Sequence, residues 1–244
     1  MKALIIIPVF NEERFLADVL QQVRKKAPGI DVLVVNDGST DRSREVALEE
    51  GALLAEHAFN AGYGVTIQTG LKYALRHHYT HAVTFDGDGQ HEAACIGPLL
   101  EHSIESDADL VIGSRYAPRM EGAEHGYRGP WLRRQGARFF GMLAGRMMGM
   151  ALTDPTSGFL AMNQTAMSLY TADFFPDTYP DADAVVLAHK SGLKVIEYPV
   201  VMYPNAEKKT SMHAGLRPIR YVFDMLLSLG MLGLAGGDDF RSRK

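Results

Sequence analysis

The chain is 244 residues long and 46% hydrophobic, enough for one large domain or two closely joined halves around a buried core. Its formal net charge of −4 argues against a general nucleic-acid binder. A single cysteine, Cys95, excludes an internal disulfide framework, fits a reducing compartment and leaves no structural zinc set. The amino terminus, Met-Lys-Ala-Leu-Ile-Ile-Ile-Pro-Val, holds an apolar run too short for a signal peptide and ends in a turn motif, so it reads as a first strand, Ala3 to Val9. Nothing in it suggests export. Phe15, Leu16, Val19, Leu20 and Val23 recur at helical spacing; strands follow at Asp31 to Asn36 and Ala52 to Glu56. Val65, Ile67, Leu71, Ala74 and Leu75 mark another helix, followed by strands at His81 to Asp86 and Leu110 to Gly113. This alternation predicts an α/β fold with a mostly parallel sheet covered by helices.

From Gly126 through Thr153 there is no acidic residue, whereas Arg128, Arg133, Arg134, Arg138 and Arg146 alternate with Trp131, Leu132, Phe139, Phe140, Met142, Leu143, Met147 and Met148. Such a basic helix with an aromatic and Met-rich face suits either a membrane interface or core packing with a solvated basic side. The segment from Leu216 to Gly237 is apolar and amphipathic, with Arg217 and Arg220 before the run and Asp224 inside it. Its uninterrupted apolar length falls short of the about 20 residues of a spanning helix. It is expected to pack on the domain, lie on a membrane or meet another subunit.

Sheets of this kind bind ligands beyond the carboxyl ends of their strands. Three polar motifs fall there: Pro8 to Glu12, Asn36 to Asp41, and Asp86 to His91. In an extended chain Asp86, Asp88 and Gln90 would share one face, giving hard oxygen ligands for Mg²⁺ or Mn²⁺ and a diphosphate. The bland alternative is a polar turn, since Asp-Gly is common turn chemistry. Asn36 to Asp41 supplies carboxylates for a base or ribose and a helix cap at Ser39 or Thr40, and on its own also reads as a capped turn. Asn11-Glu12 equally reads as a helix start, with Glu12 and Glu13 near the positive end of the dipole. His57, His77, His78, His81 and His102 share no metal-ligand spacing, while His91 differs by closing the acidic motif. Gly62-Tyr63-Gly64 lacks a third glycine, which argues against a nicotinamide cofactor.

Taken in order, Ile-Pro-Val-Phe-Asn-Glu (7 to 12), Val-Asn-Asp-Gly-Ser-Thr-Asp (35 to 41), Asn-Ala-Gly-Tyr-Gly (60 to 64), Asp-Gly-Asp-Gly-Gln-His (86 to 91), Gly-Ser-Arg-Tyr (113 to 116) and Asp-Pro-Thr-Ser-Gly-Phe (154 to 159) resemble family 2 glycosyltransferases. More narrowly they resemble the polyprenyl-phosphate sugar transferases, the dolichol-phosphate mannose synthase-like branch, over about residues 3 to 213. The resemblance implies a GT-A fold with a Rossmann-like sheet, a nucleotide-sugar donor such as a UDP- or GDP-sugar, Mg²⁺ or Mn²⁺, inversion at the anomeric carbon and a polyprenyl phosphate acceptor. By position, Pro8, Phe10, Glu12 and Asp37 would hold the nucleoside, with Asp37 facing the base or ribose. Asp86 would contact the ribose or metal, and Asp88 and Gln90 would ligate the metal.

Arg115 matches the Gly-Ser-Arg position of the family, and a guanidinium suits phosphate oxygens. The usual start of the following helix is replaced by Arg133-Arg134-Gln135-Gly136, so Arg134 is one candidate for the phosphate grip. The family's Arg-x-x-Gly-x-Ser lid appears as Asn205 to Met212, where Lys208 or Lys209 would replace the arginine. A phosphate acceptor is already ionised and needs no base, whereas a hydroxyl acceptor would need a carboxylate. Asp154 is the favoured acceptor-side residue, with Asp181 and Asp183 as alternatives; Asp154 and Asp181 equally read as helix caps. The expected organisation is a domain over residues 1–215, split near 114 into donor and acceptor halves, followed by an amphipathic helix and tail over 216–244. The expected location is cytoplasmic, on the inner membrane face, with a homo-oligomer open through the Met- and Leu-rich tail. Competing functions are transfer to a saccharide or small hydroxyl, and a silent nucleotide-sugar or lipid-binding protein.

Overall fold

The computed structural model describes residues 1–118, 131–172, 175, 180–203 and 217–234. Seven strands form one sheet: β1 (Ala3–Val9), β2 (Asp31–Asn36), β3 (Leu53–Glu56), β4 (His81–Thr84), β5 (Leu110–Ser114), β6 (Leu160–Asn163) and β7 (Val195–Pro199), in the order β3-β2-β1-β4-β6-β5-β7. The pairs β1/β2, β1/β4, β2/β3 and β5/β7 are parallel, and β6 runs antiparallel between β4 and β5. The helices are α1 (Leu16–Lys26), α2 (Ser43–Glu49), α3 (Tyr63–Arg76), α4 (Ile96–Glu105), α5 (Trp131–Met148), α6 (Gln164–Tyr170), α7 (Ala182–Lys190) and α8 (Arg217–Leu234).

Strand alternation divides the core in two. Leu4, Ile6, Leu33, Val35, Leu110 and Ile112 face one side, where they pack with Ile67 and Leu71 of α3, Phe140 and Ala144 of α5, and residues of α6, α7 and α8. Ile5, Ile7, Val9, Val34, Val83 and Val111 face the other, against Leu16, Leu20 and Val23 of α1 and Ile96, Leu99 and Leu100 of α4. Buried on both faces, these strands read as continuous apolar runs, as covered parallel strands do. Helix α3 sits so close to β1 that a side chain at Gly70 would collide with Ile6.

The five expected strands and both early helices are present, with differences at the motifs. Strand β4 stops at Thr84 rather than reaching Asp86. Strands β6 and β7 were not foreseen, being four and five residues long and lacking a period-2 pattern. No cap forms at Ser39 or Thr40: α2 begins at Ser43 without a side-chain cap. No helix follows Asp154, so it caps none; Asp181 does sit at the N-cap of α7, but its side chain makes no capping hydrogen bond. No described helix is long and apolar enough to cross a membrane.

Candidate active site

From β1 the sheet grows one way through β2 and β3, then returns to β4 on the other side of β1. Strand order reverses there, and a crevice opens beyond the carboxyl ends of β1 and β4. The segment after β4 turns instead of extending, with Gly89 at φ +76°, a conformation that favours glycine. Strand alternation therefore does not bring its acids together; the turn does. The Asp86 backbone N–H donates to His91 Nδ1 at 3.1 Å, which leaves the proton of a neutral imidazole on Nε2, 3.5 Å from Asp86 Oδ2. His91 is itself fixed by stacking on Phe159. Tyr63, at the start of α3, donates its hydroxyl to Asp86 Oδ1 at 3.3 Å. A side chain on Gly158 would meet that hydroxyl and come within 3.5 Å of both Asp86 oxygens, so the loop after Asp154 closes on the same corner.

The charge in this corner is crowded. Burial, and then the adjacent Asp86, raise the Asp88 carboxyl above its ordinary pKa. Burial, followed by Asp86, likewise raises the Tyr63 hydroxyl. The Gln90 amide lies on the Asp88 carboxylate, and the Gln90 N–H donates to Asp88 Oδ1 at 3.0 Å. Two adjacent carboxylates suit a hard divalent cation. Among the described residues no set of three His, Cys, Asp or Glu side chains forms a complete metal cage.

The loops after β1 and β2 are stitched together. Asn11, at φ +58°, accepts from the Thr40 N–H at 2.8 Å through Oδ1, and its own N–H donates to Ser39 Oγ at 3.0 Å. The Glu12 N–H donates to Ser43 Oγ at 2.9 Å. These hydroxyls thus hold a neighbouring loop rather than cap a helix. Phe10 is exposed and Pro8 half-buried at the rim. Asp37 was expected to face a base or ribose; it is buried, and its oxygens take the N–H groups of Ala61 at 2.8 Å and Gly62 at 2.9 Å, and His57 Nδ1 at 2.6 Å. Those bonds fix the loop that starts α3.

Beyond the end of β5, Arg115 and Asp154 form a buried pair. The Arg115 backbone N–H and Nε donate to Asp154 Oδ2 at 3.0 and 2.6 Å, and a terminal guanidinium nitrogen donates to Oδ1 at 2.6 Å. Asp154 is 0% exposed. Glu197 of β7 accepts from the Asp154 N–H at 2.7 Å and from Thr153, anchoring the segment. Asp181 and Asp183 face α8: Tyr221 donates to Asp181 at 2.5 Å and Ser228 to Asp183 at 2.7 Å. Arg134 is exposed on α5; Lys208 and Lys209 lie outside the described residues, as does Arg128.

The structure thus gathers Asp86, Asp88 and Gln90 in one turn, puts Pro8, Phe10 and Glu12 on the adjoining loop, and sets Arg115 with Asp154 across from them. Sequence reasoning did not find Tyr63, Glu197 or Tyr221, and left His57 without a role. For Tyr63 a signal existed in its place at the head of a glycine-flanked helix; the others are fixed by partners far along the chain.

Residues 4–168 match the sequence profile of Glycosyl transferase family 2. Polyprenol monophosphomannose synthase of Mycolicibacterium smegmatis is 29% identical over 82% of this chain and 76% of its own. Undecaprenyl-phosphate mannosyltransferase of Micrococcus luteus is 28% identical over 88% of this chain and 89% of its own. In structure, the chain resembles glucosyl-3-phosphoglycerate synthase from Mycobacterium tuberculosis, crystallised with Mn²⁺, UDP and glucosyl-3-phosphoglycerate. The TM-score is 0.66 at 16% identity, over 94% of this chain and 80% of that one. The architecture is the GT-A fold.

Proposed function

We propose that this chain, which belongs to glycosyl transferase family 2, is a glycosyltransferase of the polyprenyl-phosphate type that moves a sugar from a UDP- or GDP-sugar to polyprenyl phosphate, with inversion and with Mg²⁺ or Mn²⁺, at the cytoplasmic membrane face. The observation that carries this reading is the meeting of Asp86 and Asp88 at the β1/β4 reversal. Asp86 and Asp88 would hold the cation, with Gln90 beside them, and the ion when bound supplies Lewis-acid neutralisation of the departing nucleoside diphosphate.

The chain's own residues do the rest. Tyr63 orients the Asp86 carboxylate by a hydrogen bond, and His91 fixes the Asp86 backbone by accepting its N–H. Pro8, Phe10 and Glu12 line the nucleoside side, and Asp37 acts by fixing the loop at 61–62. Residues 1–114 carry the donor and 115–215 the acceptor, with Arg134 and Lys209 as candidates for the phosphate grip. Asp154 has both oxygens on Arg115, so it shapes the acceptor wall rather than taking a proton. A lipid phosphate needs no proton removed, so catalysis rests on alignment and charge stabilisation. The test is incubation with radiolabelled UDP- and GDP-sugars, Mn²⁺ and a short polyprenyl phosphate. Lipid-extractable label is expected; label in a water-soluble product would favour a saccharide or small hydroxyl acceptor, and donor binding without transfer a silent binding protein.

A further inference from the structure

Helix α3 is gripped at two places from the ends of two strands. At its head, the Asp37 carboxylate beyond β2 takes the N–H groups of Ala61 at 2.8 Å and Gly62 at 2.9 Å, successive donors of the kind that gather round an anion. About two turns along the helix, the Thr69 hydroxyl lies 2.9 Å from His57 Nε2. The same imidazole reaches Asp37 Oδ1 through Nδ1 at 2.6 Å, so one side chain just beyond β3 joins both grips.

This clamp stands on the sheet. The Asp37 N–H donates to the Val9 carbonyl at 2.8 Å and the His57 N–H to the Asn36 carbonyl at 2.9 Å, which ties the ends of β1, β2 and β3 together. The His57 and Asp37 side chains are 15% and 5% exposed, so water competes little for their bond. An ionised carboxylate only accepts, which puts the ring proton on Nδ1; Nε2 of the neutral ring then accepts from the Thr69 hydroxyl.

What the clamp holds is the start of α3, and its first residue is Tyr63. The Tyr63 hydroxyl donates to Asp86 Oδ1 at 3.3 Å, and the Gly158 backbone crowds the same hydroxyl. At that length the bond is already longer than the usual O–H···O distance, so a further outward shift of α3 would break it. Gly62, between the first grip and the tyrosine, has φ +102°, a backbone state that glycine adopts freely and that the Asp37 bond pins. Two points of hold on one helix set both where it sits and how it is turned about its axis, and hence where the Tyr63 ring points.

We propose that His57 is a positioning residue: bonded to Asp37 and Thr69, it holds α3 where Tyr63 steadies the Asp86 carboxylate for a divalent ion at the donor. The link to the ion rests on the glycosyl-transfer reading; the hold on α3 does not.

The test reads each link separately in the full chain. Amide hydrogen exchange without nucleotide or metal reads the hold. The Ala61 and Gly62 amides are expected to exchange at least about tenfold faster in His57→Leu than in the wild type, and to return to the wild-type rate in His57→Asn, whose amide N–H stands where Nδ1 does. Unchanged rates in His57→Leu would overturn the proposal, and so would an equal acceleration in β1, which would mark a general loss of stability. If His57→Leu does not fold, Thr69→Val, which cuts the same bond from the helix side, takes its place. Calorimetry of UDP and GDP with and without Mn²⁺ reads the metal side. The gain in affinity from Mn²⁺ is expected to shrink about tenfold in Tyr63→Phe and about tenfold in His57→Leu. Because both act through one contact, the double variant is expected to lose about tenfold rather than about a hundredfold. Losses that multiply, or an undiminished gain in either single variant, would overturn the link through Tyr63. A wild type that binds neither nucleotide would overturn the role toward the metal together with the glycosyl-transfer reading, and the exchange rates would still decide the hold on α3.

Discussion

Asp88 carries a charge that the fold makes costly, since burial and the neighbouring Asp86 both raise its carboxyl. Asp88→Asn removes that cost along with a proposed metal ligand. Turnover is expected to fall by at least about 10²-fold, while the thermal midpoint holds or rises; a lowered midpoint with turnover retained would contradict the assignment. Arg115 and Asp154 behave oppositely. Asp154→Ala strands a buried guanidinium and is expected to cost about 3–5 kcal/mol in urea unfolding, whereas a surface pair such as Arg42–Glu49 would cost little. Sequence exposed the first site because its acids lie two positions apart at the end of an apolar run. It did not expose the pairing of Asp37 with His57 or of Arg115 with Asp154, whose partners are 20 and 39 residues apart and come together only through the sheet. Hence Asp37 and Asp154 were expected to face ligand, and the structure has each engaged by the protein itself.

Among the elements, those with a sustained period were legible: α1 and α3 by helical spacing, β1 and β2 by β-branched runs. Strands β6 and β7 were not, because Leu-Ala-Met-Asn and Val-Ile-Glu-Tyr-Pro become strands through their neighbours β4 and β5. The closeness of α3 to β1 is another tertiary feature: Gly70→Val would push on Ile6 and is expected to destabilise by about 1–3 kcal/mol, read from the urea midpoint. At the α7–α8 contact the Asp181 carboxyl is raised to about 7; burial raises it most, the Tyr221 hydrogen bond opposes, and Asp183 adds to the rise. A carboxyl raised on folding binds more protons folded than unfolded between its ordinary 3.8 and about 7, so this group's contribution to stability declines as pH climbs through that window. Asp181→Asn is expected to flatten that part of the decline in unfolding free energy, measured by urea titration across the window.

At the scale of the molecule, one sheet whose strand order reverses beside β1 brings the loops after β1, β2 and β4 to a common edge, and the mixed half adds a further wall through the loop before β6. The α/β class and the site edge were both readable from the order of motifs, whereas the antiparallel insertion and the bonding of α8 to α7 were not. Asp86 and Asp88 would hold a cation that neutralises charge on a nucleoside diphosphate. Calorimetric titration of UDP and GDP into the protein, with and without Mn²⁺, tests this directly. The wild type is expected to bind one of them at least about tenfold more tightly with metal, and Asp88→Asn to lose that gain; metal-independent binding in the wild type, or an undiminished gain in the variant, would contradict it.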